Sequence, residues 1–162
     1  MPNQRRAEPA DLAALWDLRT RAVRTTCASH YAKDIIDAWC AAPPPEKLPG
    51  LLAAGGALVA EEDGRMLGFA ILKLDAGKDE GEVDAVFVDP SHQGRGIAMR
   101  LLSALEAMAV EQGMRRLFLS ASLNAVPFYQ RAGFVAVRKE MYPHRSGIGL
   151  ESVFMEKMLA GA

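Results

Sequence analysis

The thirteen residues from Val86 to Ala98 constrain this chain most. Val86-Phe87-Val88 reads as the end of a strand, and Asp89-Pro90 stops it. Ser91-His92-Gln93-Gly94-Arg95-Gly96 then forms a sharp turn, and Ile97-Ala98 opens the clearest helix in the sequence. Ala98, Leu101, Leu102, Leu105, Met108 and Ala109 recur there at helical spacing. A strand-to-helix turn of this kind aims backbone N–H groups and the positive end of the helix dipole at one point. Gly94 and Gly96 let a bulky anion approach the backbone, and Arg95 adds charge beside it. The physical reading is a diphosphate cradle. A Walker loop needs a Lys-Ser/Thr pair where Ile97-Ala98 stands. A dinucleotide fingerprint needs a third glycine where Met99 stands.

The flanking pattern is mixed α/β. A short strand is expected near Gln4–Ala7, followed by a helix with Asp11 as its N-cap. Leu12, Leu15, Trp16, Arg19, Ala22 and Val23 line one face of that helix, and Arg19, Arg21 and Arg24 read as wetted or snorkelling cations. A second helix over Asp34–Ala41 stops at Pro43-Pro44-Pro45. A turn or two over Glu46–Ala54 stops at Gly55-Gly56. Strands Ala57–Glu62 and Arg65–Leu74 flank Asp63-Gly64, a strong hairpin signal. Lys78–Gly81 reads as a polar loop. In strand Glu82–Val88, alternation puts Val83, Ala85 and Phe87 on one face and Asp84, Val86 and Val88 on the other. After the long helix, Gly113 suits a left-handed cap. Strand Arg116–Ala121, helix Ala125–Ala132, the terminator Gly133, and strands Phe134–Met141 and Leu150–Met158 complete the order.

Bulk properties exclude several classes. A 162-residue chain has the length of one domain, expected over 1–162. Half of its residues are hydrophobic, too many for disorder. A formal net charge of −1 gives no footprint for nucleic acid or an anionic membrane. No apolar run approaches the roughly 18 residues of a span. Two arginines near Met1 have no hydrophobic segment behind them, unlike a signal peptide. Cys27 and Cys40 are too far apart for a CxxC pair, and His30, His92 and His144 are scattered, so no metal is expected. A reducing cytoplasm fits best.

Gln93-Gly94-Arg95-Gly96-Ile97-Ala98 resembles the Q/R-x-x-G-x-G/A motif of the GNAT superfamily of N-acyltransferases. A second block, Ser120-Ala121-Ser122-Leu123-Asn124-Ala125-Val126-Pro127-Phe128-Tyr129-Gln130-Arg131-Ala132-Gly133-Phe134, is similar to that family's A-x-x-F-Y-x-x-x-G-F element. The two blocks stand in the family's order with a helix and a strand between them. Ala22-Val23, His30-Tyr31 and Trp39 are weakly similar to a bacterial branch. The resemblance implies an α/β fold with a central mixed, mostly antiparallel sheet flanked by helices. Its fourth and fifth strands, here Glu82–Val88 and Arg116–Ala121, would splay into a V-shaped cleft. Acetyl-CoA would be the acyl donor. Backbone groups of Val86, Phe87 and Val88 would pair with the pantetheine, and the Gln93–Ala98 turn, with the N–H groups of Gly94, Arg95, Gly96, Ile97 and Ala98, would hold the pyrophosphate. Many relatives carry an asparagine where Ser122 stands, so Ser122 or Asn124 would take that contact, unless Ser122 caps the helix.

Acetyl transfer to an amine asks for two proton movements. An alkylamine is at most about one part in a thousand neutral near pH 7, an availability cost of roughly 4 kcal/mol. A base or a desolvating pocket has to offset it, and the departing thiolate needs a donor. The resemblance gives Tyr129 the donor role, with packing under the helix as the alternative and core for Phe128. Asp84 and Glu82 share a strand face and are the candidate bases, directly or through water. A backbone N–H near Phe87 would polarise the thioester carbonyl. His30, Tyr31 and Trp39 fall where the family builds its acceptor pocket, or in the core. His144 lies in the loop before the last strand. The expected acceptor is a primary amine, a small molecule ahead of a protein amine. The alternative function is a non-catalytic acyl-CoA sensor of the same fold. The final strand, read as an edge, would be open to homodimer pairing.

Overall fold

The computed structural model describes residues 2–74, 79–144 and 146–159. The chain begins with strand β1 (Asn3–Arg6), a 3-10 turn at Pro9–Asp11 and helix α1 (Leu12–Thr26). Helices α2 (Lys33–Ala41) and α3 (Leu48–Ala53) follow, then strands β2 (Ala57–Glu62), β3 (Arg65–Lys73) and β4 (Glu80–Val88). Helix α4 (Ile97–Glu111), strand β5 (Arg116–Ser122), helix α5 (Val126–Arg131) and strands β6 (Val135–Pro143) and β7 (Gly149–Met158) complete the order.

The strands form one sheet in the order β1-β2-β3-β4-β5-β7-β6. Only β4 and β5 pair in parallel; the other neighbours are antiparallel. This is the mixed, mostly antiparallel sheet that the sequence motifs imply. The β2–β3 connection is the expected two-residue hairpin, with Asp63 at φ 53° and Gly64 at φ 76°. Both central residues have positive φ, as a type I′ turn requires.

Helices cover both faces. On one, Leu101, Leu102, Leu105 and Ala109 of α4 pack on Leu67, Leu72, Leu117, Leu119 and Met155 of the sheet. On the other, Leu15 and Leu18 of α1 and Leu48 and Leu52 of α3 pack on Val59, Phe69 and Ile71. Each fully buried leucine contributes about 2 kcal/mol of apolar transfer, so the two faces clamp the sheet edges that form the site. Among the described residues no helix is long and apolar enough to cross a membrane.

Several local expectations change. Asp11 does not cap α1 with its side chain. Its carboxylate instead accepts from the Glu8 N–H at 2.8 Å and is gripped at two points by Arg5 at 2.9 Å. A bidentate guanidinium outcompetes the helix N–H groups for the same oxygens. Of the polar loop expected at Lys78–Gly81, Lys78 lies outside the described residues, and Glu80–Gly81 already belong to β4. Gly81 is a packing choice rather than a turn signal, because a Cβ there would stand 2.6 Å from the Met114 sulfur. The final strand is interior rather than an edge: β7 lies between β5 and β6, and the sheet ends at β1 and β6. The nonlocal order of the last strands, which no local pattern encodes, decides this.

Candidate functional site

The site begins where β4 and β5 part. They pair only at Glu80–Arg116, Gly81–Leu117 and Glu82–Phe118, and beyond Glu82 they diverge. On its other edge β4 stays paired to β3 as far as Gly68–Val88. The edge of β4 over Val83–Val88 therefore faces no strand, and its backbone groups are open to an extended ligand that carries amides. Val86 and Val88 present their backbone groups on that edge, whereas Phe87, expected to do the same, is bonded to Phe69 and faces β3, because backbone groups alternate sides along a strand. Gln93 is exposed, and its Nε2 donates to the Val88 carbonyl at 3.3 Å, which secures the start of the turn.

A bulge shapes the same strand. Ile71 pairs with Ala85 but Leu72 with Val83, which leaves Asp84 as an extra residue. The alternation expected for Val83, Ala85 and Phe87 therefore fails. Val83 joins Val88 in the core under α4, whereas Ala85 and Phe87 pack toward α1. The bulge also bends the strand and re-aims Asp84. Glu82 and Asp84 come together on Lys73, with Nζ–O distances of 3.7 and 3.3 Å. Burial pulls the Lys73 pKa down, but Asp84 and then Glu82 outweigh it and leave it raised.

At the head of the cleft, Gly94 (φ 80°) and Gly96 (φ 77°) both adopt the left-handed conformation. A Cβ would meet open space at either, so backbone geometry is what demands glycine there. Gly96 is the N-cap of α4. The N–H groups of the first helical residues, Ile97 and Ala98 among them, have no intrahelical acceptor. Ile97 is buried against the core and pins the helix start. Arg95 is exposed, its guanidinium 4.0 Å from Glu62. Asp89, 2% exposed, accepts the Ser91 N–H at 2.8 Å and Arg21 of α1 at 3.0 Å. Burial pushes the Asp89 carboxyl up, but these two donors outweigh that and hold it below the usual carboxylate value.

Tyr129 lines the cavity between the splayed strands and also belongs to the core. Its ring meets Phe128 at 5.0 Å and Phe134 at 5.6 Å, both edge-on. Gly133 (φ 97°) turns the chain so that the Phe134 N–H reaches the Tyr129 carbonyl at 3.0 Å. Tyr129 is the more buried of the helical aromatic pair, and Phe128 packs on the core only in part. Desolvation alone pushes the Tyr129 phenol well above its ordinary value.

The cavity measures about 410 Å³ and runs from Ser120, Ser122 and Tyr129 past Glu82 and Asp84 to α1 and α2. Ser122 lines it without capping the following turn. Asn124 is not among its lining residues, and its Oδ1 is buried without a partner. Tyr31 and Trp39 line it but His30 does not. The Tyr31 hydroxyl donates to the Glu151 carbonyl and accepts the Leu123 N–H at 3.0 Å, joining the α1–α2 connection to β7 and to the end of β5. His144 lines the cavity from the β6–β7 side.

Two residues of the cavity wall escaped sequence reasoning. Arg19 is not a wetted cation: it is 4% exposed, donates to the Trp39 carbonyl at 2.8 Å and stacks 4.1 Å over the Trp16 ring. Arg21 and Arg24 are likewise engaged, by Asp17 and Asp89 and by Asp37. Lys73 was missed as well. Its placement opposite Glu82 across the hairpin of two strands was the available signal.

The comparisons agree with this geometry. Residues 13–134 match the sequence profile of the acetyltransferase (GNAT) family. The chain is 32% identical over 136 residues to an uncharacterized N-acetyltransferase, YafP, of Escherichia coli (strain K12), covering 84% of this chain and 83% of that protein. A GCN5-related N-acetyltransferase from Rhodopseudomonas palustris superposes with a TM-score of 0.83 at 29% identity, over 98% of this chain and 96% of the other. The protein yncA of Salmonella typhimurium, solved with its cofactor acetyl-CoA, gives a TM-score of 0.69 at 26% identity, over 100% of this chain and 96% of the other. A strand-splayed sheet with a glycine cradle at the head of its cleft defines an acyltransferase scaffold. The chain belongs to the GNAT acetyltransferase family and is an N-acetyltransferase.

Proposed function

We propose that this chain, as a single domain over 1–162, transfers an acetyl group from acetyl-CoA to the primary amine of a small molecule by direct attack. The observation that carries the reading is the position of Tyr129. Its phenol, protonated at neutral pH, is buried and lines the same cavity as the unpaired edge of β4. The donor fits the residues present: the free β4 edge suits a chain of amides, and the open space above Gly94 and Gly96 suits a diphosphate. The acetyl-CoA held by the structural relative from Salmonella typhimurium supports the same choice.

When bound, the donor supplies an acetyl thioester. Val86 and Val88 orient the pantetheine arm through backbone groups, and the N–H groups of the Gly94–Ala98 turn hold the pyrophosphate. A backbone N–H near Phe87 donates to the thioester carbonyl. Glu82 or Asp84, directly or through water, takes a proton from the incoming ammonium and leaves its lone pair free to attack. The N–C bond forms as the C–S bond breaks, Tyr129 gives its proton to the sulfur, and the nitrogen sheds its second proton, which passes through water to restore the phenol. The carboxylate releases the first proton to solvent, so the ammonium and the thioester become an amide, a thiol and one free proton.

A small acceptor is supported by the size of the cavity, about 410 Å³. Tyr31 ties the α1–α2 connection to β7, and Trp39 meets His144 at 6.5 Å in its wall. Two buried free thiols suit a reducing cytoplasm. The reading is tested by melting temperature with and without acetyl-CoA, together with CoA release driven by amines. A rise in Tm with amine-dependent release supports it. A rise in Tm with no release by any amine overturns it in favour of an acyl-CoA sensor.

A further inference from the structure

The far end of the cavity is walled by aromatic rings that the transfer chemistry does not use. Trp39 sits at its centre, meeting Tyr31 edge-on at 5.4 Å and 79° and His144 at 6.5 Å and 63°. Trp16 and Tyr142 line the same space. These rings are held rather than loose. Arg19 covers one face of Trp16 and donates to the Trp39 carbonyl, the Trp16 indole N–H donates to the Ala42 carbonyl at 3.2 Å, and Tyr31 is fixed at two points. Arg19 thus fixes the Trp16 ring directly and, through a main-chain carbonyl, the end of α2 that carries Trp39.

Resting on the acetyl-transfer reading, we infer that the acceptor is a primary amine carried on a flat aromatic ring. The ring seats against Trp39 between Tyr31 and His144, and the nitrogen lies toward Glu82 and Asp84. The charge distribution matches: both carboxylates line the cavity and share the single ammonium of Lys73, so a cationic amine completes the cluster. The apolar end matches too. Edge-to-face and offset-stacked contacts reward an aromatic guest beyond its area.

The test compares kcat/KM for 2-phenylethylamine, its saturated analogue 2-cyclohexylethylamine and glucosamine 6-phosphate, alongside calorimetric binding of each amine to the CoA complex. The aromatic amine is expected to exceed the saturated one by roughly tenfold, mainly through KM. Trp39→Ala and the milder His144→Ala reduce that ratio, Trp39→Phe keeps most of it, and all three retain acetyl-CoA binding. Equal use of the two hydrocarbon amines, or preference for the sugar, overturns the inference. If 2-phenylethylamine binds through Trp39 but no amine is acetylated, the transfer reading fails and the aromatic pocket stands. If other amines are acetylated while 2-phenylethylamine neither binds nor reacts, the pocket assignment fails and the transfer reading stands.

Discussion

Arg21 of α1 reaches the buried carboxylate of Asp89 at 3.0 Å, and Asp89 in turn holds the Ser91 N–H at the entry to the glycine turn. The pair ties α1, which lines the cavity, to the glycine turn that leads into α4. Asp89→Ala removes the acceptor for a buried N–H and is expected to cost roughly 1–3 kcal/mol of stability. Arg21→Ala leaves that hydrogen bond in place and is expected to raise KM for acetyl-CoA more than it lowers kcat. Steady-state kinetics check the split; an unchanged KM would separate Arg21 from the cradle.

Asp89 also carries a pH signature. Its folded carboxyl titrates below its ordinary value because the Ser91 N–H and Arg21 outweigh burial. A depressed acid contributes stability above the unfolded carboxylate pKa and loses it as pH falls through the folded value. Urea midpoints are therefore expected to drop on acidification below about pH 4, and less steeply in Asp89→Asn. Parallel slopes in the two proteins would contradict this.

Gly96→Ala is expected to destabilise the chain by about 1–2 kcal/mol, since an L-residue must hold φ near 77°. The added methyl meets no atom, so the cost is conformational. Acetyl-CoA affinity should fall with stability, as titration calorimetry would report. Retained affinity would mean that the turn does not contact the donor.

Much of this site was legible in the sequence. Gly94 and Gly96 sit in a contiguous strand–turn–helix segment whose local chemistry declares itself, whereas Tyr129 and the parting of β4 and β5 were read from the resemblance to the GNAT family. What was not legible depends on residues far apart in the chain. The Asp84 bulge arises from register between β3 and β4, and it overrides strict alternation. Arg19 is buried because Trp39, twenty residues on, folds back over it. The position of β7 inside the sheet follows from strand order, which neither hydrophobic period nor turn residues specify.

Cys27 is 2% exposed, and burial pushes its thiol up to about 11. Neither Cys27 nor Cys40 lines the cavity, so neither can carry the acetyl group. A thiol reagent at pH 8 is expected to leave the native chain unmodified and to titrate both cysteines after unfolding. Rapid modification of the native protein would contradict the buried placement.

Amine-driven CoA release by the wild type and by Tyr129→Phe tests the central assignment most directly. Loss of a positioned general acid is expected to lower kcat by roughly 10²–10⁴-fold. Acetyl-CoA should still raise Tm in the variant, because the ring and its contacts with Phe128 and Phe134 remain. A Tyr129→Phe enzyme with wild-type kcat would show that Tyr129 only packs, and that the thiolate leaves without its proton.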